Sequence, residues 1–212
     1  MLCYFHGFAS GPASTKAELV RTRLAALGHE LLVPDLAPDF THQTISNQLA
    51  IVEALLGPEP AILMGSSLGG YLAALVAARH PERVRALVLL APAFGFASRW
   101  EAQLGADVMA HWRRHGVMPI THYGRERQEL LSVALLDDAR RYPDEPDPNV
   151  PALVVAGRFD DAVPLESVEA FAGKRREREL VVFDAGHQLT EVLDPLWERI
   201  GGFLARFGVI AP

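Results

Sequence analysis

Apolar and polar positions along the chain fall into two alternating patterns. Short, nearly unbroken apolar runs rich in Val, Ile and Leu occupy residues 2–5, 30–33, 61–64, 84–90, 152–156 and 180–183. Continuous hydrophobicity of this kind marks strands covered on both faces, as in a parallel sheet. Between the runs the spacing changes. Ile45, Leu49, Val52 and Leu56, and later Val192, Leu196, Ile200, Phe203 and Phe207, recur at the period of a helix with one buried stripe. Residues 68–78 are apolar or small on every side, which predicts a helix buried against the centre of the sheet, with Gly69 and Gly70 permitting close approach. Strands and helices in alternation predict repeated βαβ units: an α/β fold with a mostly parallel central sheet of about six strands and helices on both faces.

One stretch interrupts the alternation. Residues 94–149 contain no convincing core strand but two helical patterns, and they end in Tyr-Pro-Asp-Glu-Pro-Asp-Pro. This segment is read as a small helical cap inserted between strands. Residues 142–151 are read as its proline-rich hinge, since fixed φ angles and missing amide donors exclude helix there.

Size and charge narrow the classes. At 212 residues the chain is long enough for one sizeable core and short for two, so 1–212 is expected to be a single domain. A net charge of -6 with only one short basic stretch, at 174–178 and interrupted by Glu177, argues against nucleic-acid binding. That stretch is read as a solvated turn. Cys3 has no partner for an intrachain disulfide, and its apolar surroundings suggest an inert buried thiol. There is no leader-like segment near Met1 and no apolar run of about 20 residues, so no membrane span is expected and the protein reads as cytoplasmic.

Candidate chemistry centres on Gly65-Ser66-Ser67-Leu68-Gly69, a G-x-S-x-G string lying between the 61–64 strand and the buried helix. The string alone is common by chance; strand, motif and helix together are specific. A sharp strand-to-helix turn strains the backbone at the nucleophile, and side chains two positions away on either side would collide, so glycine is a steric demand. Ser67 is the nucleophile on this reading, and Ser66 fails the spacing. A serine hydroxyl needs a base near the working pH. His187 supplies it, because it follows Asp184-Ala185-Gly186 directly after the last strand and emerges at the same sheet edge. A buried carboxylate must hold that base in one tautomer. The loop after the 152–156 strand offers two, Asp160 and Asp161. Backbone N–H groups of Leu68 and of Phe8, in the loop leaving the first strand, are the expected oxyanion donors.

Other candidates carry less. His6, at the end of a core strand, is read as a loop-orienting histidine. His111 and His115 have a zinc-compatible spacing, but no glutamate of the H-E-x-x-H pattern and no third ligand accompany them, so no metal is expected. Phe94, Phe96, Trp100, Met109, Trp112 and Met118 could wall an acyl pocket over Ser67 or could equally be packing within the cap.

The stretches His6-Gly7-Phe8-Ala9-Ser10-Gly11-Pro12-Ala13-Ser14-Thr15-Lys16 and Gly65-Ser66-Ser67-Leu68-Gly69-Gly70-Tyr71 resemble the small bacterial YqiA-like esterases of the α/β-hydrolase superfamily. More loosely, the middle of the chain, from His111-Trp112-Arg113-Arg114-His115 through Tyr123 to Arg141, is similar to the cap of acyl-protein thioesterases related to mitochondrial depalmitoylating hydrolases. The resemblance implies an α/β-hydrolase fold and a triad in the order Ser67, Asp160, His187, with Asp160 preferred to Asp161 on the fold's G-x-x-D-x-x-V-P pattern. It implies hydrolysis of a small-molecule carboxylic ester or acyl thioester through an acyl-enzyme on Ser67, without a cofactor. Two alternatives stand beside it: a serine peptidase, and a non-catalytic member of the fold that binds a small ligand. A haloalkane dehalogenase is disfavoured, since that chemistry uses a carboxylate nucleophile.

Overall fold

The computed structural model describes residues 1–211. Five of the apolar runs form one parallel sheet: β1 (Leu2–Phe5), β2 (Ala61–Ser66), β3 (Val84–Leu90), β6 (Ala152–Gly157) and β7 (Arg178–Phe183), side by side in that order. Alternate side chains along each strand feed two cores, as the two-residue strand period requires. Leu2, Tyr4, Ile62, Met64, Val88 and Val155 pack under α1 (Thr15–Ala25) and α7 (Leu193–Arg206). Cys3, Phe5, Leu63, Leu87, Leu89 and Val154 face the other side, where α2 (Ile45–Leu55), α3 (Leu68–Arg79) and α6 (Leu165–Gly173) lie. In α3 every residue from Leu68 to Ala77 is buried, which accounts for its lack of a polar face.

The run at 30–33 contributes less than a strand. Leu32 makes a single parallel bridge to Cys3, with Tyr4 N–H donating to the Leu32 carbonyl and Leu32 N–H to that of Leu2 at 2.8 and 3.0 Å. Pro34 follows at once and has no N–H with which to extend the ladder. The sheet therefore has five regular strands, with Leu32 bridging one edge.

The segment 94–149, between β3 and β6, departs from the purely helical reading. It holds α4 (Phe96–His115), broken at Gly105 where φ is +77°, then an antiparallel hairpin of β4 (Val117–His122) and β5 (Arg127–Ser132), then the short α5 (Ala134–Ala139). The hairpin escapes a search for apolar runs because only His122 and Leu131 of its strands are buried. The proline-rich return is tied down at several points. Tyr71 Oη donates to the Pro143 carbonyl at 3.0 Å and Gly95 N–H to that of Asp144 at 2.8 Å. Asp147 accepts two bonds from Arg175, at 2.8 and 2.6 Å, and a third from Arg178. These arginines hold the Asp147 carboxyl far below the usual carboxylate range. The basic stretch is thus a clamp on the return segment rather than a merely solvated turn.

Candidate active site

Because all five strands run parallel, the loops leaving β1, β2, β6 and β7 gather at one edge of the sheet. Ser67 stands there, between β2 and α3, with φ +52° and ψ -118°. This is strained backbone for a side chain with a Cβ. Surrounding bonds impose it: Ser67 N–H donates to the Leu90 carbonyl at 2.9 Å, and the Ser67 carbonyl accepts from Ala93 N–H at 3.0 Å. The turn is tight enough that a Cβ on Gly65 would lie 2.3 Å from the Gly69 carbonyl oxygen. Ser66, by contrast, is the buried last residue of β2.

His187 reaches Ser67 from the loop after β7, with Nε2 3.0 Å from Oγ. Its Nδ1 lies 2.8 Å from Asp160 Oδ2. Since an ionised carboxylate can only accept, Nδ1 carries the proton and Nε2 is left to accept from the serine hydroxyl. The Asp160 side chain is only 2% exposed. Burial pushes its carboxyl up, but bonds from His187 and from the Val163 and Ala162 amides outweigh it and hold the group below the usual carboxylate range. Asp161 is exposed, and no hydrogen bond joins it to His187 among the described residues. Of the two candidate acids, the structure brings Asp160 to the histidine.

The loop after β1 lies against the serine. A Cβ at Gly7 would meet Ser67 Cβ at 3.4 Å. The N–H groups of Phe8, in that loop, and Leu68, at the first residue of α3, have no acceptor among the described residues. His6 is buried and fully occupied: Nδ1–H donates to the Gly7 carbonyl at 3.0 Å, and Nε2 accepts from Leu36 N–H at 3.1 Å. Burial lowers its pKa, which favours this neutral, loop-holding form. The Leu36 donor lies 30 residues away in sequence and could not be anticipated from the motif.

The aromatic candidates separate. Trp112 is fully buried with Nε1–H on the Leu131 carbonyl at 3.0 Å, and Phe94 is buried against Phe171, so these two are core packing and not pocket wall. Phe96 and Trp100 are partly exposed, and Trp100 meets the Phe8 ring edge-on at 5.0 Å. Met109 is buried and Met118 partly so. None of these lines the cavity of about 360 Å³ beside the Asp160 loop, whose walls are mostly charged or polar and include Arg99, Gln103, Arg158 and Glu166. His115 Nδ1–H donates to the His111 carbonyl at 2.9 Å, and the described residues contain no group of three or more His, Cys, Asp or Glu side chains that could hold a metal. Among them, too, no helix is long and apolar enough to cross a membrane.

The chain superposes on alpha/beta hydrolase domain-containing protein 10 from mouse with a TM-score of 0.81 at 20% identity, over 97% of this chain and 90% of that one. A hydrolase from Agrobacterium vitis S4 gives 0.78 at 24% identity, over 95% and 87%. Est1E from Butyrivibrio proteoclasticus, solved with ferulic acid bound, gives 0.78 at 22% identity, over 97% and 88%. The fold is that of the α/β hydrolases. A family model described as "Uncharacterised protein family (UPF0227)" matches residues 1–204.

Proposed function

The chain belongs to the UPF0227 family, and we propose that it is a serine hydrolase acting on a carboxylic ester or acyl thioester. The observation that carries this reading is the continuous chain of contacts from Ser67 Oγ to His187 to Asp160, at 3.0 and 2.8 Å, on a strained turn. Ser67 Oγ attacks the acyl carbonyl as its proton passes to His187 Nε2. The carbonyl electrons move onto oxygen, where the Phe8 and Leu68 amides stabilise them, each donor contributing about 3 kcal/mol. Collapse expels the alcohol or thiol, which takes its proton from His187. Water then repeats the sequence on the acyl-enzyme, with His187 as base, releasing the carboxylic acid and free Ser67. Asp160 keeps the imidazole in the required tautomer and balances its positive charge.

The acyl group lies against the exposed parts of Phe8, Phe96 and Trp100, whose rings pack in a row with Trp100 between the other two. Est1E, with ferulic acid bound in the same fold, supports a ligand of this general kind. Turnover of a panel of p-nitrophenyl esters, acyl thioesters and peptides tests the reading. Release of acid from esters or thioesters but not from peptides is expected; cleavage of peptides alone would move the assignment to a peptidase.

A further inference from the structure

Two cationic side chains are buried among the described residues, and they differ in their company. Arg178 meets the carboxylate of Asp147. Lys16, only 7% exposed, has no carboxylate within ion-pair distance among the described residues. Its ammonium donates to the main-chain carbonyl of Gln188 at 2.6 Å and stands 3.5 Å from Gln188 Oε1. An unpaired buried ammonium is a costly arrangement, and Lys16 adds to the cost by occupying the second residue of α1, where the helix dipole disfavours a cation. An apolar side chain of the same length would fold there more cheaply, so stability does not explain the charge.

The grip falls on the residue after His187. That loop is a tight turn, with Leu189 at φ +55° and its N–H on the Gly186 carbonyl at 3.2 Å. On the N-terminal side of His187 it is held by Phe159 N–H, which donates to the Ala185 carbonyl at 3.0 Å. Lys16 supplies the hold on the other side. It does so from the helix that directly follows the His6-Gly7-Phe8 loop.

We propose that Lys16 is a positioning residue, whose bond to the Gln188 carbonyl sets His187 against Ser67 and couples the base loop to the loop of the Phe8 oxyanion donor. The role rests on the serine-hydrolase reading above. Burial pushes the Lys16 ammonium down to about 8, against the pull of Asp160 and Glu191, so the group stays charged at neutral pH. The reach required is small, since a misplacement of about 1 Å can cost about 100-fold in rate.

Fluorophosphonate labelling kinetics on the intact protein, wild type beside Lys16→Met, test the proposal. The maximal labelling rate should fall by about 10- to 100-fold while the half-saturating probe concentration stays within about twofold. The downfield proton resonance of the His187–Asp160 bond should broaden or shift in the variant. Equal labelling rates with an unchanged resonance would overturn the positioning role and leave the hydrolase reading standing. A folded wild type that takes no label would overturn both. Should Lys16→Met not fold, Lys16→Gln, which keeps a polar head without charge, carries the same expectations.

Discussion

A β-carbon on Gly69 would stand 2.1 Å from the carbonyl oxygen of Phe5, so α3 and β1 meet backbone to backbone beside the Ser67 turn. No rotamer change relieves such a contact, because both partners are main chain. Gly69→Ala should therefore push α3 off the sheet, lowering stability by about 3 kcal/mol and removing activity with it. Chemical denaturation and ester turnover measured on the same sample check both effects.

Asp160 and Asp161 adjoin in sequence but have opposite environments, and substitution separates them. Asp160→Asn should reduce kcat/KM by about 10³- to 10⁴-fold, because His187 loses the acceptor that fixes its tautomer. Asp161→Asn should stay within about twofold. The Asp160 carboxyl is held below the usual carboxylate range. Its stabilising contribution is therefore present above the unfolded value of about 3.9 and is lost as pH falls through the folded one. The gap in Tm between wild type and Asp160→Asn should narrow on acidification below about pH 4.

Trp112 and Trp100 touch, at 5.6 Å between ring centroids, yet should behave differently. Trp112→Ala removes a fully buried indole together with its hydrogen bond to the Leu131 carbonyl. It should cost about 3–5 kcal/mol of stability. Trp100→Ala should cost far less stability, and it should raise KM for long-chain or aryl acyl esters more than for acetyl esters. Thermal melts and an ester chain-length series read the two effects.

Lys16 links stability to pH in the same sense as Asp160, but in an alkaline window. Its folded value of about 8 lies below its ordinary 10.5. Between the two the unfolded chain binds the extra proton and the folded protein does not, so stability gains with rising pH. Asp160 and Glu191 are the charged groups acting on the ammonium. Lys16→Met should match or exceed the wild-type Tm at pH 7, and that advantage should shrink between about pH 8 and 10.5. A constant difference across the window would contradict this account of the buried ammonium.

What the sequence makes legible follows from how local each signal is. The sheet and its covering helices can be read because continuous apolar runs and the helical stripes of α2 and α7 are properties of short windows. The meeting of Ser67, Asp160 and His187 can be read because each sits just past the end of a parallel strand, and parallel strands end at one edge. The β4–β5 hairpin cannot, since it lies outside the main sheet and buries little along its strands. The roles of Trp112, Leu36 and Lys16 depend on partners 19, 30 and 172 residues away, which no window spans. For Lys16 a faint signal existed: a cation in the first turn of a helix, against the dipole.

Every catalytic step above depends on Ser67 being an activated nucleophile. Fluorophosphonate labelling with mass-spectrometric site mapping tests it most directly. One adduct per chain is expected, on Ser67, and it should be lost in a folded and inactive Ser67→Ala variant. A folded wild type that remains unlabelled, or that labels elsewhere, would contradict it.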